Sequence, residues 1–122
     1  MRQRNIIPLF LGALLVLPAS YACGAPNEQT YSAAEKVKAL FAEGLQRQQE
    51  KRYPEAVMVY RRALKLDSNQ PETLNNLGFC YEQMKNEKKA LEYYTQALLL
   101  KPDLAEAQAF VQAHAQETQP KR

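Results

Sequence analysis

The chain has no tryptophan, one histidine, two cysteines and four glycines among 122 residues. These shortages remove whole classes of chemistry. One histidine and two cysteines cannot complete a zinc site, and with so few candidate ligands no metal or cofactor is expected. Gly44 and Gly78 stand singly, so there is no glycine-rich loop to cradle a phosphate; small size for helix packing accounts for both. No charge of one sign dominates either. Sixteen Lys and Arg face 13 Asp and Glu, and without Arg2 and Arg4, assigned below to a leader, 14 basic residues against 13 acidic ones leave a net charge of +1. Phosphate affinity needs a concentrated basic face, so nucleic acid is not an expected partner. The short basic clusters Arg61, Arg62, Lys65 and Lys85, Lys88, Lys89 read as solvated outer faces. What remains, 46% hydrophobic and 24% charged, allows one small domain.

A long hydrophobic run is also missing. Ile6 to Leu17 makes 12 residues interrupted by Pro8 and Gly12, whereas a bilayer-spanning helix takes about 20. Preceded by Arg2 and Arg4 and followed by the small residues Ser20 and Ala22, it reads as a secretory signal peptide over residues 1–22. Ser20-Tyr21-Ala22-Cys23-Gly24 resembles a bacterial lipobox, with Ser20 and Tyr21 replacing its usual leucine and small residue. That resemblance implies that Cys23 becomes the acylated first residue of a lipoprotein. Ordinary cleavage near Ala22 or Ala25, releasing a soluble protein, is the alternative. Both export the chain: to the periplasm or an outer-membrane anchor in a bacterium, otherwise to the exterior. A membrane is then met only through lipid on Cys23. Cys80 reads as a small buried apolar residue rather than a disulfide partner.

Shifting the chain by 34 residues aligns 37–70 with 71–104 and gives nine identities: Leu40/Leu74, Gly44/Gly78, Gln49/Gln83, Lys51/Lys85, Ala56/Ala90, Tyr60/Tyr94, Ala63/Ala97, Leu64/Leu98 and Leu66/Leu100. Chance at ordinary composition gives roughly two or three. The second copy carries Leu74, Leu77, Gly78, Tyr81, Ala90, Tyr94, Ala97 and Pro102, and so resembles the tetratricopeptide repeat at its signature positions. The first copy shares Leu40, Gly44, Ala56, Tyr60 and Ala63, with Glu43, Arg47 and Ser68 departing from the pattern. The resemblance implies an all-α fold, a short solenoid of antiparallel helix pairs.

The residues support this directly. Leu74, Leu77, Gly78 and Tyr81 fall at i, i+3, i+4 and i+7, the apolar stripe of one helix. Ala90, Leu91, Tyr94, Ala97 and Leu98 form the stripe of the next. Gly78, Ala90 and Ala97 allow close approach of the axes, and the tyrosines fill the gaps. Ser32 with Glu35, and Asp103 with Glu106, have the spacing of capping boxes, while Pro54 and Pro71 suit first turns. Five helices follow, at about Ser32 to Arg52, Pro54 to Leu66, Pro71 to Lys85, Glu87 to Leu100 and Leu104 to Gln116. The domain spans 32–116, with a tether over 23–31 and a polar tail over 117–122. Two repeats are marginal alone. The last helix, with Leu104, Ala107, Val111 and His114 on one face, is expected to cap the stack over 105–116; a dimer formed end to end is the other way to cover the open face.

In this family the first helix of each pair lines a concave groove. The resemblance therefore places groove residues at Lys38, Phe41, Ala42, Leu45, Gln48 and Gln49, and at Glu72, Asn75, Asn76, Phe79, Glu82 and Gln83. Phe41, Leu45 and Phe79 would form an apolar floor, and Asn75 and Asn76 would bond the backbone of a bound peptide. The alternative is that the chain before Ser32 covers Phe41 and Leu45. Family clamps for terminal carboxylates carry Lys and Asn where Phe41 and Leu45 stand, so that mode is set aside. The expected function is a non-catalytic adaptor of the cell envelope that holds a peptide segment or helix of another protein and assists complex assembly. Self-association through the repeat faces, or service as an accessory subunit of an envelope enzyme, are the alternatives.

Overall fold

The structure, a computed structural model, describes residues 31–117. The expected signal peptide, Cys23 with nearly all of the tether, and residues 118–122 of the tail lie outside them. Five helices follow in order: α1 (Ala33–Gln49), α2 (Tyr53–Leu66), α3 (Pro71–Gln83), α4 (Glu87–Leu100) and α5 (Ala105–Glu117). Among the described residues there is no strand. α1 pairs with α2 and α3 with α4; α2 stacks on α3, and α5 lies mainly on α4 with an edge touching α3. The fold is an all-α solenoid of two helix pairs closed by a capping helix.

The helix ends show what local chemistry decides. At α1 the box expected from Ser32 and Glu35 is complete: the Ser32 N–H donates to Glu35 Oε2 at 2.7 Å, and the Glu35 N–H to Ser32 Oγ at 3.2 Å. The box expected from Asp103 and Glu106 is not formed. α5 starts at Ala105 with the Leu104 carbonyl accepting from the Gln108 N–H, and the Glu106 carboxylate accepts from Asn75 instead. α1 and α3 also stop earlier than the apolar pattern suggests. Each ends in the same two bonds: Arg52 N–H to the Arg47 carbonyl with Lys51 N–H to that of Gln48, and Asn86 N–H to Tyr81 with Lys85 N–H to Glu82. This crossed pair closes a helix when the residue after the cap turns left-handed. Lys51 (φ 58°) and Lys85 (φ 62°) do so. Because neither is glycine or asparagine, the stop is silent in the sequence.

The core is built from one contact made twice. Tyr60 and Tyr94, both 0% exposed, lie across Gly44 and Gly78, where an added β-carbon would come within 2.3 Å and 2.6 Å of the respective rings. Glycine is required there by the close approach of a ring, not by its backbone angles. Around these pairs Ala56, Leu77, Cys80, Ala90 and Ala107 are fully buried. Of α1 only Gly44 is buried. On α5, Ala107 is buried and Val111 and His114 are half-buried, as is Leu104 just before it, while Glu106, Gln112 and Gln116 stay exposed. Phe110 joins that face, its ring centroid 4.9 Å from Tyr94.

Candidate functional site

The first helices of the two pairs carry the residues singled out in the sequence, and several are engaged inside the protein. The Tyr60 hydroxyl donates to Gln48 Oε1 at 3.0 Å, and the Tyr94 hydroxyl to Glu82 Oε2 at 2.9 Å. Gln48 and Glu82 are 34 residues apart, as are Tyr60 and Tyr94, so one bond between inner and outer helix is repeated with a neutral acceptor first and a charged one second. Burial pushes the ionisation of both tyrosines well above its usual range; the Glu82 hydrogen bond adds to this at Tyr94. Gln48 Oε1 also accepts from the Cys80 thiol at 3.7 Å.

Asn75 donates through Nδ2 to Glu106 Oε2 at 2.8 Å, joining α3 to α5. Its Oδ1 is buried and finds no donor. Asn75 therefore begins with a partner of its own and retains only part of its bonding capacity. The Asn76 amide is close enough to the Tyr60 hydroxyl to offset part of the rise that burial imposes on its ionisation. Gln83 is exposed, and Leu45 is half-buried.

The aromatic residues stand in separate concavities. Phe41 leans on Tyr60 with centroids 6.1 Å apart and lines a recess of about 280 Å³ together with Val37, Gln70 and Thr73. Phe79 meets Tyr53 edge-on at 6.2 Å and lines a larger recess of about 500 Å³. α3 supplies Phe79 and Glu82 to this recess, α5 supplies Glu106, Phe110 and His114, the turn before α4 adds Lys85, and the first residue of α4 adds Glu87. The α5 contribution was not recognised in the sequence. The available signal was helical spacing, since Phe110 falls between Ala107 and His114 on the face already assigned to packing.

His114 stacks on Phe110 at 4.0 Å, its Nδ1–H donates to the Phe110 carbonyl at 2.9 Å, and Nε2 faces Glu87 Oε2 at 3.8 Å. The ring is held at the recess edge in one orientation. Cys80 is a free thiol, buried, with its ionisation pushed up to about 12 by that burial, so it carries essentially no thiolate at neutral pH. Among the described residues no three His, Cys, Asp or Glu side chains gather as a metal site. What the recess offers is an aromatic floor bounded by carboxylates.

Comparison with known proteins agrees with the geometry. Residues 71–104 match the family model described as "Tetratricopeptide repeat", and residues 44–85 match that described as "TPR repeat"; together they span half of the chain. Over 80 residues the chain is 39% identical to the "Mitochondrial import receptor subunit TOM70" of Saccharomyces cerevisiae, in both strain YJM789 and strain ATCC 204508 / S288c. That similarity takes in 63% of this chain and 13% of the length of each relative.

Proposed function

Because the chain carries tetratricopeptide repeats over residues 44–104, built as two helix pairs and a capping helix, we propose that it is a non-catalytic adaptor whose inner face holds a segment of another protein. The observation carrying this reading is the recess of about 500 Å³ between α3 and α5, floored by the half-buried rings of Phe79 and Phe110. Exposed aromatic surface of this kind is favourable to cover, and aromatic anchors dominate binding energies. The relatives named above are receptor subunits, in keeping with a role in holding polypeptide. Export through the 1–22 leader, with Cys23 as an anchor, would place the adaptor in the cell envelope and make complex assembly there its task. That part rests on the leader sequence alone, and mass spectrometry of the mature amino terminus tests it.

The groove reading is tested by photo-crosslinking from position 79 and, as a control on the outer face, from Met58, which is 67% exposed. A partner should be trapped from position 79 and not from position 58, and Phe79→Ala should weaken its binding by about 1–2 kcal/mol. Equal trapping from both positions, or unchanged affinity of Phe79→Ala, would overturn the assignment. Self-association has one observation in its favour: Leu99, 80% exposed, and Leu66 and Leu100 leave apolar surface on the outer helices. A monomer in equilibrium sedimentation at micromolar concentration excludes it.

A further inference from the structure

The recess between α3 and α5 is unbalanced. Its lining brings three carboxylates, Glu82, Glu87 and Glu106, against one ammonium, Lys85. A carboxylate has about four acceptor positions. Within the protein Glu82 Oε2 takes one hydrogen bond from Tyr94, and Glu106 Oε2 takes one from Asn75. Two of the carboxylates line the recess from its two helices, Glu82 from α3 and Glu106 from α5. Acceptors thus collect around a floor made of Phe79 and Phe110, and donors are few.

We infer that this recess takes an arginine side chain presented by an apolar segment of the partner, its guanidinium reaching Glu82 and Glu106 over the rings of Phe79 and Phe110. Arginine fits each part of the surroundings. Its five N–H donors can answer two carboxylates together, and its planar cation stacks on aromatic faces. An acidic segment would set like charges against Glu82, Glu87 and Glu106, and a wholly apolar one would cover the carboxylates without replacing their water. The inference rests on the groove reading above and specifies the chemistry of its occupant.

A phage-displayed library of random nonapeptides, selected on the full chain, tests it, followed by fluorescence polarisation of a selected peptide and of the same peptide with citrulline in place of arginine. The variant Glu82→Gln/Glu106→Gln keeps both acceptors for Tyr94 and Asn75, and Gln48 already serves Tyr60 in the same way, so a thermal melt should show the fold retained. Selection on the unaltered protein should enrich arginine flanked by apolar residues. Citrulline should then weaken binding on the order of tenfold, and the double variant should abolish that difference. Peptides that enrich without arginine and depend on Phe79, or that bind the double variant as tightly, would overturn the inference and leave the groove reading standing. Enrichment of acidic peptides would overturn it as well. Selected peptides indifferent to Phe79→Ala, or no enrichment at all, would count against both.

Discussion

Replacing Gly78 by alanine sets two opposing effects against each other, and the structure decides the sign. In an open helix interior the change stabilises by about 0.5–1 kcal/mol, because alanine restricts the unfolded chain. Here the new β-carbon would lie 2.6 Å from Tyr94 Cδ1 and 2.7 Å from Cγ, far inside the roughly 3.5–4.0 Å of a favourable carbon contact. The ring cannot swing aside: Tyr94 is wholly buried, flanked by Phe110 at 4.9 Å and tied through its hydroxyl to Glu82. α3 and α4 must separate instead, at a cost of about 1–3 kcal/mol typical of overpacking, with this site toward the upper end. The net expectation is a loss of about 1–2 kcal/mol. For a domain of this size that lowers the thermal midpoint by about 5–15 °C. Urea unfolding should show a lower midpoint at an unchanged slope. A midpoint at or above that of the unaltered protein would refute the reasoning, because propensity alone would then govern the site. Gly44→Ala offers a second check: the clash with Tyr60 is closer at 2.3 Å, but Gly44 is the only buried residue of α1, so α1 should yield more readily than α3 and the loss should be the smaller.

Other outcomes follow from local features. Lys51→Gly should raise stability by about 0.5–1 kcal/mol in the same urea assay, since the left-handed backbone at φ 58° suits glycine better than lysine. Bonds from Ser32, the backbone one foremost, hold the Glu35 carboxyl below its usual 4.5. A lowered folded value contributes stability that is present above the unfolded value and is lost as pH falls through the folded one. Glu35→Gln should therefore flatten the stability profile on the acid side of about 4.5, without altering its shape near neutrality. Cys80 should resist iodoacetamide in the native protein at pH 8 and react fully in urea, as intact mass would record; rapid labelling of the folded chain would contradict its burial.

The parts legible in the sequence are those in which side-chain size carries the information. Gly44 with Tyr60 and Gly78 with Tyr94 recur at the repeat spacing, and a small residue opposite a large one is readable before any coordinates exist. Pro71 and the Ser32/Glu35 pair likewise declare helix starts through their own chemistry. The ends of α1 and α3 were not readable, because Lys51 and Lys85 hold a backbone conformation to which lysine is indifferent at best. Nor were the roles of Gln48, Glu82 and Asn75. A polar residue on an inner helix looks the same in a sequence whether it faces solvent or a tyrosine hydroxyl two turns away on the next helix, and only packing decides. Phe110 was hidden for the opposite reason, since an aromatic on a capping face is indistinguishable from one that also borders a recess.

One wall of the larger recess is the final helix itself, attached to its neighbour α3 through Asn75 and Glu106. Any molecule lodged there would contact α5 as well as α3. If the recess holds a segment as proposed, the amides of residues 105–117 should exchange their hydrogens more slowly as it fills.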